Sequence, residues 1–231
     1  MEQQTFFATL SKKKEIADHV IELKFSKPEG FEYKAGQFVQ FYIPQEEKSV
    51  LRSYSISSIP ADNYLEFCIK IVEGGVGSTY LAQMNIEDKI ELSGSKGHFV
   101  LNSNAISHMF VATGAGLAPI MGMIREELES NASKKQLHLL FGVRSEKNIF
   151  WNDKLDELTK KYENFSYDIC LSRAEDIASC KAVEGRVTAN LPKSLSETDF
   201  YLCGSAEMVM EVRSLAIERG ANAKDIHFEI F

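Results

Sequence analysis

The run VLRSYSISSIP, residues 50–60, decides how the first half of the chain is read. Its β-branched and aromatic residues suit a strand, yet Arg52, Ser53, Tyr54, Ser55 and Ser57 make it too polar for a core. Other short strand-like runs flank it: TFFATLSKKK (5–14), HVIELKFS (19–26), QFVQFYI (37–43), YLEFCIKIV (64–72) and DKIELSG (88–94). Turn signals such as KPEG (27–30) and PADN (60–63) separate them. Several antiparallel strands at this spacing predict a barrel or sandwich. One glycine-rich break, EGGVGSTYLAQM (73–84), interrupts them and then turns helix-compatible.

From about residue 105 the pattern changes to alternating strands and helices. HMFVAT (108–113) is a buried-strand run, and GAGLAP (114–119) is a turn. PIMGMIREELES (119–130) then sets Ile120, Ile124 and Leu128 on one helical face, with Pro119 suited to a first helical turn. QLHLLFGV (136–143) predicts a strand, and NDKLDELTKKYE (152–163) a helix capped by Asn152 or Asp153. YDICLS (167–172) and DFYLCG (199–204) predict further strands. The second leads into a helix over 205–220 that stops at Gly220, and DIHFEIF (225–231) alternates as a last strand. This order predicts a parallel sheet covered on both faces, with the boundary between the halves in LNSNAIS (101–107).

Composition narrows the function classes. With 231 residues the chain can form two cores, and 44% hydrophobic with 26% charged residues is ordinary globular composition. The formal net charge of −7, without a lysine- or arginine-rich block, argues against nucleic acid as the main partner. No apolar run is long enough to span a bilayer, and the opening MEQQTFFATLSKKKE lacks the form of a secretory signal, so the expectation is a cytoplasmic protein. Cys68, Cys170, Cys180 and Cys203 are far apart with no C-x-x-C pair; the expectation is reduced thiols and no metal site.

Arg-x-Tyr-Ser in a β-rich half, then a glycine-rich turn into a short helix, then an α/β half, resembles the ferredoxin–NADP reductase family over nearly the whole chain. The resemblance implies an antiparallel β-barrel FAD-binding domain at residues 1–102 and an α/β parallel-sheet NAD(P)-binding domain at 103–231. It implies that Arg52 pairs with a flavin phosphate, Tyr54 packs on the isoalloxazine ring and Ser55 hydrogen-bonds flavin N5, with Ser53 beside them. Their chemistry suits those roles: a forked cation for phosphate, a flat ring for stacking, a hydroxyl where electron density rises. CIKIV, with Ile69, Lys70 and Ile71, resembles the strand whose backbone lines the ribityl chain. Gly75, Val76, Gly77 and Ser78 resemble the Gly-x-x-Ser element, with Ser78 beginning a helix whose free N–H groups face pyrophosphate.

In the second half, Thr113, Gly114 and Gly116 follow a buried strand and precede a helix, as a phosphate-cradling turn requires. With Pro119 they resemble this family's G-T-G-x-A-P turn, Ala115 standing where threonine is common. Cys203-Gly204 and Met208 resemble the nicotinamide-side strand and the helix after it, with the thiol near the carbon that gives up hydride. Glu229 and Phe231 resemble the family's Glu-x-Tyr ending: a polar or proton-handling group, and a ring that covers the flavin. Ser172-Arg173 resembles the Ser-Arg pair that takes the adenosine 2′-phosphate, and Arg144 would line the dinucleotide groove. EGRVTANL (184–191) replaces the lysine- and tyrosine-containing segment that completes that site in plant-type members, so NADPH and NADH both stay open.

The resemblance therefore implies a flavoprotein reductase passing electrons from NAD(P)H through FAD, with Ser55, Cys203, Glu229 and Phe231 around the reacting atoms. No plant-type iron–sulfur cysteine pattern accompanies the two halves, so the acceptor is expected to be separate. Ferredoxin, flavodoxin or an oxygenase component is one reading; free flavin, as in the short flavin reductases, is the other.

Overall fold

The computed structural model describes residues 5–46, 48–101, 105–173, 182–193 and 197–231. The chain divides into two compact units, Met1–Leu101 with Met121–Ser130, and Asn102–Ile120 with Asn131–Phe231.

In the first unit, strands β1 (Thr5–Ala17), β2 (Val20–Ser26), β3 (Phe38–Ile43), β4 (Val50–Ser55) and β5 (Tyr64–Lys70) are followed by helix α1 (Val76–Gln83) and strand β6 (Lys89–Lys96). They form one sheet in the order β4-β3-β6-β1-β2-β5, antiparallel throughout. A bridge between Ile56, just past β4, and Phe67 in β5 joins the two outer strands, closing the sheet into a barrel. Alternation fills the interior: Ala8, Leu10, Leu23, Phe25, Val39, Phe41, Ile43 and Phe67 are all fully buried. Phe25, Phe41 and Phe67 meet with ring centroids 5.1–5.9 Å apart, tilted or edge-on as aromatic quadrupoles prefer.

The end of the opening run departs from its sequence reading. Ser57 and Ser58 point into the fold, and both are fully buried. Ser57 Oγ donates to Glu66 Oε2 at 3.1 Å, the Glu66 N–H donates to Ser58 Oγ at 3.1 Å, and Ser58 shares a 3.0 Å bond with the Tyr33 hydroxyl. Lys24 lies 3.2 Å from Glu66 and offsets its charge. These serines satisfy buried polar groups that would otherwise oppose closure at this point. Nearby, Arg125 forks onto both carboxylate oxygens of Asp62 at 2.8 and 3.3 Å and also binds Glu129, while Asp62 accepts the Ile59 N–H. The segment after β4 is thereby pinned.

The second unit's sheet comprises β7 (Ser107–Thr113), β8 (Gln136–Val143), β9 (Phe165–Leu171), β10 (Ala182–Glu184), β11 (Thr198–Gly204) and β12 (Ile226–Ile230). Between them run α2 (Leu117–Arg125), whose residues from Met121 group with the first unit, α3 (Asn152–Lys161) and α4 (Ala206–Glu218). The order is β10-β9-β8-β7-β11-β12, parallel throughout. The chain winds outward from β7 in one direction, returns, and winds the other way through β11 and β12. Met109, Val111, Leu140, Phe200 and Leu202 pack with Val209, Val212 and Ala216 of α4 as a core. Ile120, Ile124 and Leu128 are buried as their spacing predicts.

Three local expectations are corrected. Neither Asn152 nor Asp153 caps α3; Trp151 occupies the N-cap position in a left-handed conformation at φ 58°, with no side-chain capping bond. Burial fixes that residue, with Phe150 edge-on at 5.4 Å and Lys154 over its indole at 4.4 Å. The helix of the glycine-rich break starts at Val76 rather than Ser78, and α4 at Ala206.

Candidate functional site

The first unit's candidate residues gather at β4 and the start of α1. Register sets Arg52 opposite Phe41 and Tyr54 opposite Val39, so both share one face of β4. Ser53 and Ser55 take the other face, opposite Gln40 and Phe38. Ser55 is buried, whereas Ser53 and Arg52 are exposed. The Tyr54 ring leans on Phe41 at 5.9 Å, and burial raises its phenol pKa against the lowering influence of Arg52. The phenol therefore stays neutral and serves as a ring with a donor at its rim.

Gly77, in the first turn of α1, lies directly against this pair. A Cβ there would stand 2.7 Å from Arg52 Cγ and 2.8 Å from the Tyr54 hydroxyl oxygen, so only glycine lets the helix approach. The helix start has no side-chain cap and no acid in its first turn. Its first N–H groups lack intrahelical partners and carry the positive end of the helix dipole. Ser78 Oγ, by contrast, is engaged within the fold: it accepts the Val72 N–H at 3.1 Å and lies 3.3 Å from the Gly75 carbonyl. It shapes the loop that precedes the helix. Val76 is exposed at the helix start. Ile69 is fully buried in the barrel core, so only its backbone can line a ligand; Lys70 is exposed, and the Ile71 N–H is bound by the His19 carbonyl.

A forked cation, a neutral ring and an unblocked helix start fit the phosphates and flat ring of FAD. One supporting residue escaped the sequence reading. Lys13 of β1 donates to the carbonyls of Ala82 and Met84 at 3.0 and 2.7 Å, anchoring the far end of α1. Inside SKKKE it carries no signal that separates it from a solvated lysine.

In the second unit the candidates collect where the winding direction reverses, between the C-terminal ends of β7 and β11. In open parallel sheets that crevice is where ligands bind. Gly114–Gly116 form one 3-10 turn that runs straight into α2. A Cβ on Gly116 would collide with the Cys203 carbonyl and stand 2.8 Å from the Gly204 nitrogen. Thr113 Oγ1 accepts the Ser205 N–H at 3.3 Å, which ties the two strand ends together. Ser205 caps α4 by accepting the Met208 N–H at 3.3 Å, while the Met208 side chain lies in the core. Pro119 is likewise buried, shaping the first turn of α2.

Cys203 sits beside Glu229 in the β11–β12 register and is fully buried. Burial, then the Glu229 charge, push its thiol well above the usual range, so it stays protonated. It is an uncharged group at the strand end, not a nucleophile. The Phe231 N–H donates to the Gly204 carbonyl at 3.0 Å, and the residue is 58% exposed. Along the same edge, the Ser172 N–H binds the Val143 carbonyl at 3.1 Å and the Arg173 N–H binds the Arg144 carbonyl at 2.8 Å. The two arginines therefore leave neighbouring strand ends together. The rest of LSRAED lies outside the described residues.

No group of three or more His, Cys, Asp or Glu able to hold a metal occurs among the described residues. Cys68, Cys170 and Cys203 are buried and form no disulfide, and Cys180 lies outside the described residues. No helix among those residues is long and apolar enough to cross a membrane.

Comparison with known proteins meets this geometry from the other side. Residues 7–101 match the oxidoreductase FAD-binding domain, and residues 110–214 the oxidoreductase NAD-binding domain. Ferredoxin--NADP reductase B of Sorangium cellulosum is 32% identical, over 99% of this chain and 98% of its own length. The toluate 1,2-dioxygenase electron transfer component of Pseudomonas putida is 29% identical, over 100% of this chain and 68% of its length. Among solved structures, a ferredoxin NADP+ reductase from Neisseria gonorrhoeae with bound FAD and NADP superposes with TM-score 0.85 at 21% identity, covering 99% of each chain. A barrel whose strand and helix start fit FAD, followed by a parallel sheet with its glycine turn at the switch point, identifies the chain as a member of the ferredoxin–NADP reductase family, an NAD(P)H-dependent flavoprotein reductase.

Proposed function

We propose that the protein carries electrons from NAD(P)H to a separate carrier protein, such as ferredoxin, flavodoxin or an oxygenase component. Bound FAD supplies the chemistry that links a two-electron donor to one-electron acceptors. The remaining work belongs to the chain's own side chains. Arg52 holds the flavin phosphates with the start of α1, and Tyr54 stacks on the ring system. Ser55 holds the ring's reacting edge through its hydroxyl. In the second unit Gly114 and Gly116 admit the dinucleotide phosphates, and Arg144, Ser172 and Arg173 receive the adenosine end. Cys203 packs its neutral thiol against the nicotinamide, Glu229 handles a proton or polar contact there, and the exposed Phe231 is available to a ligand.

The observation that carries this reading is the meeting of Arg52, Tyr54 and Gly77 at a helix start with no acid in its first turn. That arrangement supports reading this part of the barrel as a cradle for a phosphate-bearing flat cofactor. Relatives named as reductase and as dioxygenase electron transfer component favour a protein acceptor. Buried thiols outside any disulfide favour a reducing compartment, and we place the protein in the cytoplasm.

The test is anaerobic stopped flow on purified, FAD-loaded protein. Ser55→Ala should retain FAD yet bleach about 100-fold or more slowly with NAD(P)H, the range for one positioned donor. An unchanged bleaching rate would remove Ser55 from the reacting edge. Cytochrome reduction that requires added ferredoxin or flavodoxin is expected; turnover with free flavin alone would replace the carrier reading.

A further inference from the structure

A third arginine stands on the same edge of the parallel sheet. Arg186 precedes the 3-10 turn Val187–Asn190, and the Gly185 N–H before it binds the Leu171 carbonyl at 2.9 Å, directly ahead of Ser172-Arg173. Val187 packs close to Thr113 at Gly142: a Cβ on Gly142 would lie 2.8 Å from Val187 Cγ1 and 2.9 Å from Thr113 Cγ2. The turn therefore lies beside the strand ends that hold the proposed dinucleotide residues. Arg186 itself reaches to α4, with Nη1 2.9 Å from Glu207 Oε1 and 4.0 Å from Glu211 Oε2. Glu207 and Glu211 are one helical turn apart and share that face. The side chains are 63%, 75% and 45% exposed, so the pairing is solvent-screened and readily exchanged.

We infer that Glu207 and Glu211 bias the choice between NADPH and NADH toward NADH by occupying Arg186. The inference rests on the reading that the Ser172-Arg173 corner receives the adenosine end. The two nucleotides differ there only by a 2′-phosphate, a dianion that rewards each forked cation it meets. Two carboxylates on Arg186 withhold one such cation and add repulsion to the phosphate. A nucleotide with a plain ribose hydroxyl is indifferent to both effects. The carboxylates act through Arg186 and are positioning residues rather than ligands.

The test pairs kinetics with a binding measurement on the FAD-loaded protein, comparing Glu207→Gln/Glu211→Gln with the parent. KM for NADPH should fall, and the calorimetric Kd for adenosine 2′-monophosphate should tighten, by about two- to fivefold, as expected for exposed charge pairs. The NADH constants and the Kd for adenosine 5′-monophosphate should move by less than about twofold. Adding Arg186→Ala should erase the gain. An unchanged NADPH-to-NADH ratio, with both nucleotides still bleaching the flavin, would overturn the inference and leave the site reading intact. A gain that survives Arg186→Ala would overturn it too. A parent that binds neither nucleotide would bring down the site reading and the inference together.

Discussion

In the first unit Arg52 and Tyr54 stand on one face of β4 and leave room for nothing larger than Gly77. In the second, Gly116 lies against main-chain atoms of Cys203 and Gly204, and the hydroxyl of Thr113 beside Gly204 is bound by a backbone N–H. One cradle is made of side chains that face a glycine, the other of backbone that faces backbone. The difference predicts how each fails. A side chain can be truncated, and its grip on a ligand removed, without moving its neighbours. A main-chain cradle cannot give way without separating two strands.

The largest effect should therefore come from Gly116→Ala. The added methyl meets carbonyl and amide atoms of β11, which have no rotamer to yield. Dinucleotide binding should weaken by about 100-fold or more, on the scale of ~3 kcal/mol of overpacking, while FAD content stays at the parental level. Titration with NAD(P)+ and the flavin absorbance check both halves of that statement. Normal nucleotide affinity would show that the backbone cradle is softer than its geometry, and would break the comparison.

Arg52→Ala comes next and strikes the other unit. Loss of a charge-assisted fork to phosphate should weaken FAD binding by about 10- to 100-fold. Adenosine monophosphate binding by the second unit should be unaffected. A smaller consequence is expected at the far end of α1, where Lys13→Met removes two donors from the Ala82 and Met84 carbonyls. Thermal unfolding should register about 1 kcal/mol, and FAD should bind a few-fold more weakly because the helix start is less firmly held. If Lys13→Met left FAD affinity untouched, the helix would be shown to need no anchor.

The same contrast explains what the sequence could reveal. Strand alternation and the switch to helix-length periods mark the barrel and the parallel sheet, because both repeat over many residues. Arg-x-Tyr-Ser is legible since a side-chain cradle writes itself into residue types. Ser57 and Ser58 carry the same lettering, yet they satisfy Glu66 and Tyr33 inside the fold. A polar residue in a strand does not say whether its partner is a ligand or a buried carboxylate 9 residues away in the chain. Lys13 was unreadable because its carbonyl partners lie 69 and 71 residues away. β10 has only three residues, too few to show a period, and the N-cap position of α3 holds a buried Trp151 rather than a polar capping side chain.

The smallest effect separates the two units by pH. His138 in β8 shares a 2.8 Å bond with Ser166 in β9 through Nδ1 and sits 3.3 Å from Asp168 through Nε2. Burial lowers its pKa below the ordinary imidazole value of about 6.5, and the attraction of Asp168 offsets that only in part. A group that is harder to protonate in the folded state than in the unfolded chain makes the unfolded chain take up more protons. Stability therefore falls as pH drops through about 6.5 and levels off below the folded pKa. The loss should be small, because the ring is partly exposed and Asp168 is close. His138→Asn, which retains a side-chain partner for Ser166, should flatten this part of the urea-unfolding profile between pH 5 and about 7. In the first unit the comparable group is Lys24, whose pKa is lowered by burial but raised by more through Glu66 and Tyr64 together. It contributes stability below about pH 10.5 and loses it only in stronger alkali. Mild acid should thus loosen the dinucleotide unit before the flavin unit. Flavin release at a higher pH than the His138-dependent transition would reverse that order.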